Sequence, residues 1–363
     1  MDIARFLKLM VEKEASDLFL TTGAPVYLKV DGKLRPCSQE DIKKGMIRKV
    51  TYALLSEEQA QMFDEENELS VAISVKSVGR FRFNFFRQRG EVGIVVRHIP
   101  SRIPSVEELN MPPLLNELIM APRGLILVVG AAGSGKSTTL ASMIDWRNRH
   151  VSGHILTIED PIEYLHRHQQ SIVNQREIGF DTHSYQNALK AAMREAPDVI
   201  LIGEILDTDT MQAAMSYAET GHLCLATLHA ANADQTLGRI LNFFPQQAHS
   251  QILMDLSLNL NAIVSQRLVK LKNGKRKPAA EILINTPRMA EMIKNGELDR
   301  LKEAMEKSLD AGMGTFDQSL YELYRNDEIG LGEALHNADS RDGLELRIKL
   351  TESGSQQLQG ITN

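Results

Sequence analysis

A chain of 363 residues with 41 Lys and Arg against 47 Asp and Glu carries a formal net charge of −6, so no global basic field marks it as a dedicated nucleic-acid binder. That length exceeds what one hydrophobic core usually serves, and two domains are expected. Cys37 and Cys224 stand far apart, which leaves no disulfide framework or cysteine zinc site and suits a reducing cytoplasm, while the short apolar runs imply no direct membrane insertion.

Ile3, Phe6, Leu7, Met10 and Val11 recur at helical spacing, and alternating stretches follow at 26–30, 70–75, 80–86 and 92–99 with Gly79 and Gly90 as punctuation. This pattern predicts a small N-terminal α+β domain over residues 1–100. Pro104, Pro112 and Pro113 lie among polar residues, a composition that predicts an extended linker over 101–113. Apolar runs at 125–129, 155–158, 199–202 and 223–227 then alternate with helical stretches. A parallel sheet covered on both faces reads this way, so residues 114–286 are expected to form a RecA-like α/β core. Met289, Met292, Ile293, Leu298 and Leu301, then Phe316, Leu320, Leu323 and Tyr324, return to helical spacing and predict a helical C-terminal subdomain over 287–350. Residues 351–363, rich in Gln, Ser and Gly, are expected to be a flexible tail.

Gly130-Ala131-Ala132-Gly133-Ser134-Gly135-Lys136-Ser137 fits G-x-x-x-x-G-K-[ST], follows the run at 125–129 and opens a helical stretch at Thr138. String and setting are those of a P-loop. The glycines let backbone N–H groups curl round phosphates, the helix N-terminus adds positive potential, Lys136 reaches the β and γ phosphates, and Ser137 ligates Mg²⁺. ATP and Mg²⁺ are the expected ligands.

In Thr157-Ile158-Glu159-Asp160-Pro161-Ile162-Glu163 an apolar strand runs into three carboxylates. Alone this is more often a solvated loop; beside a P-loop, Glu159 and Asp160 become candidate metal-side acids and Glu163 a candidate catalytic acid. Asp198-Val199-Ile200-Leu201-Ile202-Gly203-Glu204 reads as a Walker B strand, with Gly203 where many P-loop enzymes carry the metal-binding Asp and Glu204 as candidate catalytic base. His229 ends the run Leu223-Cys224-Leu225-Ala226-Thr227-Leu228. By spacing it is more often structural; by its place at a strand's carboxyl end it suits a γ-phosphate sensor. Arg80, Arg82, Arg87, Arg89 and Arg97 lie on expected N-terminal strands. A solvated basic face and a phosphate contact supplied to a neighbouring subunit both remain open.

These motifs, in this order and over nearly the whole chain, resemble the secretion ATPase superfamily. Ser16-Asp17-Leu18-Phe19-Leu20 and Gly79-Arg80-Phe81-Arg82 are similar to the type IV pilus retraction ATPases, the PilT/PilU group, and the stretches at 152–155, 218–229 and 254–260 look PilU-like. The resemblance implies a PAS-like N-terminal domain, a homohexameric ring and ATP between the domains, with Arg82 and Arg97 completing the site. It also implies a cytoplasmic motor that couples ATP hydrolysis to pilus retraction and twitching motility. Its partners would be an inner-membrane pilus platform protein and a PilT-like retraction motor. The chain departs from the family pattern at Leu206-Asp207, where relatives place an Arg, and follows the C-terminal motif only loosely at 289–297. An ATP-binding accessory ring component with little turnover is the alternative.

Overall fold

The computed structural model describes residues 2–30, 32–100, 102–308 and 312–361, with side chains as far as Thr351. Two units, Met1–Arg102 and Ile103–Asn363, each enclose their own core.

In the first unit α1 (Ile3–Glu12) leads into β1 (Asp17–Leu20), β2 (Tyr27–Val30) and β3 (Lys33–Pro36). The helices α2 (Met46–Leu54) and α3 (Glu57–Glu66) precede β4 (Glu68–Val75), β5 (Gly79–Gln88) and β6 (Glu91–Ile99). The strands form an antiparallel sheet in the order β3-β2-β1-β6-β5-β4. Strand alternation sends Phe81, Phe83 and Phe85 to one face, where they are buried with Leu7, Met10, Ile47 and Phe63. On the other face Arg82 lies opposite Arg97, which in turn lies opposite Asp17.

The second unit opens with α4 (Leu114–Leu118), β7 (Gly124–Val129), α5 (Lys136–His150), β8 (His154–Glu159) and β9 (Ile172–Glu177). It continues with α6 (Tyr185–Ala192), β10 (Val199–Ile202), α7 (Thr208–Glu219), β11 (Leu223–Leu228), α8 (Ala233–Asn242) and α9 (His249–Asn259). The hairpin β12 (Leu260–Lys270) and β13 (Arg276–Ile284) is followed by α10 (Pro287–Lys294), α11 (Leu301–Glu306), α12 (Phe316–Arg325), α13 (Leu331–Asn337) and α14 (Arg341–Ile361). The sheet order is β13-β12-β7-β11-β10-β8-β9. Every pair is parallel except β12 with β13.

Both faces of this sheet are covered, which is why its strands read as unbroken apolar runs. Leu125, Leu127 and Val129 of β7 enter one core with Met211 and Leu237, whereas Ile126 and Val128 enter another with Leu140 and Ile144 of α5. The C-terminal helices bury Phe316, Leu320 and Leu344 against Val269 and Ala279 of the β12–β13 hairpin. Thr315 starts α12 with a capping box closed by Gln318, which satisfies two N-terminal N–H groups locally.

Two expectations change. The segment 103–113 is packed rather than extended: Val106 and Met111 are buried in the second unit, and the Ser142 hydroxyl donates to the Pro104 carbonyl at 2.7 Å. Its prolines exclude a regular helix, but the apolar residues between them still gain by leaving water. The stretch expected as a tail from Thr351 is helical through Ile361 as the end of α14. Ser101 and residues 362–363 lie outside the described residues.

Candidate active site

Because β7, β11, β10 and β8 run parallel and side by side, the segments that leave their carboxyl ends meet at one edge of the sheet. The loop from β7 to α5 is built on left-handed glycines, with φ of 74° at Gly133 and 95° at Gly135. At Gly130 a Cβ would come within 2.5 Å of the Gln266 carbonyl oxygen, and at Gly135 within 2.8 Å of Gln266 Nε2. Gln266, buried on β12, thus seats the loop, and its Oε1 accepts a hydrogen bond from the Thr139 hydroxyl at 2.8 Å.

Lys136 Nζ donates to the carbonyls of Gly130 at 3.0 Å and Ala131 at 3.1 Å. Burial holds its ammonium below the ordinary lysine value, and the Glu204 carboxylate pulls the other way. Ser134 Oγ is buried with no hydrogen-bond partner. An unsatisfied hydroxyl, a loop turned by three glycines and an ammonium resting on loop carbonyls are what a polyphosphate chain would satisfy and engage.

The structure brings His229 to the same place. Its Nε2 lies 2.8 Å from Glu204 Oε1, and its Nδ1 lies 3.2 Å from the Gly130 carbonyl and 3.5 Å from Lys136 Nζ. One imidazole therefore links the end of β10 to the start of the P-loop. The Thr227 hydroxyl donates to the Gly203 carbonyl at 2.6 Å, and the Gly203 N–H donates to the Ile158 carbonyl at 2.7 Å. At Gly203 a Cβ would stand 3.0 Å from the Tyr185 hydroxyl and 3.1 Å from Ile158 O, so little room exists for the Asp that other P-loop enzymes carry. Tyr185 is partly buried; desolvation first, and then the carboxylates of Asp160, Glu159 and Glu204, push its phenol well above the ordinary value, and it accepts the Glu204 N–H.

Ser137, Glu159, Glu163 and Tyr164 line one cavity with Gly203 and Thr227. Glu159 Oε1 accepts from the Thr157 hydroxyl at 2.6 Å and from Gln175 Nε2 at 3.2 Å. Burial raises its carboxyl while those donors and the Glu163 N–H lower it. Gln175 also donates to the Tyr164 carbonyl at 2.8 Å and accepts from the His166 N–H at 2.8 Å, which fixes the acidic loop. His166 is driven down to about 4 by burial and stays neutral. Thr138 Oγ1 and Tyr164 OH are 3.0 Å apart, linking the P-loop helix to that loop. Asp160 and Glu163 are exposed. Among the described residues no three His, Cys, Asp or Glu side chains are grouped to hold a metal ion.

Arg82 and Arg97 belong to the first unit. Arg97 Nε donates to the buried Asp17 carboxylate at 3.0 Å, and Arg82 is itself buried. Tyr164, Gln175, Tyr185 and Gln266 escaped the sequence reading. The one signal for Gln266 was the polar run Ser265-Gln266-Arg267 inside an otherwise apolar strand.

The family model for "Type II/IV secretion system protein" matches residues 1–309. The chain belongs to this family. It is 50% identical over 364 residues to the type IV pilus ATPase PilU of Pseudomonas aeruginosa, covering 100% of this chain and 95% of that protein. It is 39% identical over 320 residues to the PilT retraction ATPase of the same organism, covering 88% of this chain and 93% of PilT. Among solved structures, the pilus retraction motor PilT with bound ADP superposes with a TM-score of 0.90 at 40% identity, over 95% of this chain and 99% of that one. The ATPase DotB of Legionella pneumophila, at 23% identity and a TM-score of 0.77 over 92% of this chain and 94% of its own, shares the fold.

Proposed function

We propose that this chain is an ATP-hydrolysing motor of the type IV pilus machine that powers or assists retraction and twitching motility. One observation carries the reading: Lys136, Glu204 and His229 are drawn from three parallel strand ends into one hydrogen-bonded group on the P-loop. With ATP as substrate, the P-loop N–H groups and Lys136 hold the β and γ phosphates. Ser137, with Glu159 and Asp160 behind it, would hold Mg²⁺, which would supply charge neutralisation at the phosphates. Glu204 accepts the proton of the attacking water as its oxygen bonds to the γ phosphorus and the bond to ADP breaks. His229 orients the Glu204 carboxylate and reads the γ phosphate, and Glu163 helps place the water.

In this account Arg82 and Arg97 approach the phosphates within a homohexameric ring. The ring works in the cytoplasm at the inner-membrane base of the pilus machine, on a platform protein and beside a PilT-like motor. No described helix is long and apolar enough to cross a membrane. A second reading, an ATP-binding accessory ring with little turnover, has Leu206 in its favour, because this 58% exposed side chain, two residues after Glu204 in the chain, stands where the family resemblance implies an Arg. Steady-state ATPase assays of wild type and Lys136→Ala, with size-exclusion light scattering, test the first reading. It expects a hexamer with Mg²⁺-dependent turnover that the variant lacks; equal rates overturn it, and a hexamer that binds ATP without turnover moves the balance to the second.

A further inference from the structure

Two residues after His229, the chain is held by a side chain from another strand. Arg267 of β12 donates from Nη2 to the Ala231 carbonyl at 3.2 Å and from Nη1 to the Asn337 carbonyl at 2.6 Å, and Nη2 pairs with Asp339 Oδ1 at 2.6 Å. Its guanidinium stacks over Phe316, with Cζ 3.9 Å from the ring centroid. Asp339 returns to the same loop, since its Oδ2 accepts from Asn232 Nδ2 at 3.0 Å. The neighbouring Glu281, only 2% exposed, accepts the first N–H of α8 from Ala233 at 2.9 Å and that of α12 from Phe316 at 3.5 Å.

Loop 229–232 is therefore bound on one side to Glu204 and the P-loop through His229, and on the other to the C-terminal helices through Arg267 and Asp339. A planar guanidinium that makes a stacked contact and three directed bonds is a rigid spacer, with a geometry no lysine reproduces. Gln266, the adjacent residue, points to the opposite side of β12 and seats the P-loop. One strand thus supports both halves of the site.

We propose that Arg267 is a positioning residue for ATP hydrolysis: it holds loop 229–232 so that His229 meets Glu204, and it ties the placement of His229 to the packing of the C-terminal helices. This rests on the reading of His229 and Glu204 given above. The partners of Arg267 (Ala231, Asn337, Asp339 and Phe316) all lie outside the P-loop, so its loss is expected to act on turnover rather than on substrate binding.

The test is steady-state kinetics on full-length Arg267→Ala, Arg267→Lys, Asp339→Asn, His229→Gln and the His229→Gln/Arg267→Ala double variant, with melting temperatures. Lys277→Ala, which breaks an ion pair with Glu328 in the same subdomain, serves as a stability control. Arg267→Ala is expected to lower kcat about tenfold or more with KM for ATP within about threefold of wild type. Arg267→Lys and Asp339→Asn fall between, Lys277→Ala keeps wild-type kcat, and the double variant is no slower than His229→Gln. Wild-type kcat in folded Arg267→Ala, or losses that multiply in the double variant, overturns the proposal. Should Arg267→Ala fail to fold, Arg267→Lys decides, and its unchanged kcat is the contrary result. An impaired His229→Gln beside an unimpaired Arg267→Ala sinks the proposal alone, whereas a fully active His229→Gln sinks the site reading with it.

Discussion

His229 Nε2 stands 2.8 Å from Glu204 Oε1 while Nδ1 of the same ring stands 3.2 Å from the Gly130 carbonyl. The imidazole is thus a fixed strut between the acid at the end of β10 and the first residue of the phosphate loop.

Removing the strut should leave nucleotide binding in place and harm turnover. His229→Gln keeps a donor of similar reach but loses the second ring nitrogen, so kcat is expected to fall roughly 10–100-fold. The dissociation constant for a fluorescent ADP analogue should stay near that of wild type. A matching loss of ADP affinity would place His229 in ground-state binding instead.

The phosphate loop tolerates no Cβ at its first position. In Gly130→Ala the new methyl would meet the Gln266 carbonyl oxygen at 2.5 Å, a backbone atom that cannot swing aside. A shifted loop misaligns the N–H groups, so ATP affinity is expected to drop at least about tenfold, with a stability loss of about 1–3 kcal/mol. Calorimetric titration with ADP and a thermal melt check both effects.

Glu281 gives the fold a pH dependence of definite sign. Burial and the Asp339 carboxylate push it from 4.5 up to about 7, against the N–H groups of Ala233 and Phe316 and the Lys302 ammonium, which favour the charged form. A folded-state value above the unfolded one means that the native state holds the extra proton between those limits. The contribution is complete below about 4.5 and is lost as pH rises through about 7, on the order of 3 kcal/mol in total. Melting temperatures of wild type relative to Glu281→Gln should therefore decline from pH 5 to pH 8. A difference that is flat or rises with pH would contradict this assignment.

The parallel strands and the phosphate loop were legible because burial on both faces leaves unbroken apolar runs, and a glycine-rich string between strand and helix has few other uses. Gly203-Glu204 and His229 could be listed from sequence, but their 2.8 Å meeting depends on the order in which β7, β11 and β10 lie in the sheet. The strands β12 and β13 stayed hidden because Ser265, Gln266, Arg267 and Glu281 break their apolar pattern. Of these, Gln266, Arg267 and Glu281 are polar because they face the P-loop, loop 229–232 and two helix N-termini, relationships that no local window contains. The segment 103–113 misled for the opposite reason: its prolines dominate the composition while Val106 and Met111 do the packing.

The central claim is that Glu204 takes the water's proton at this P-loop, and single-turnover hydrolysis of ATP by wild type and Glu204→Gln tests it most directly. The account predicts a variant that binds ATP as wild type does and cleaves it about 10²–10⁴-fold more slowly. Cleavage at the wild-type rate in a folded, ATP-saturated Glu204→Gln would contradict it.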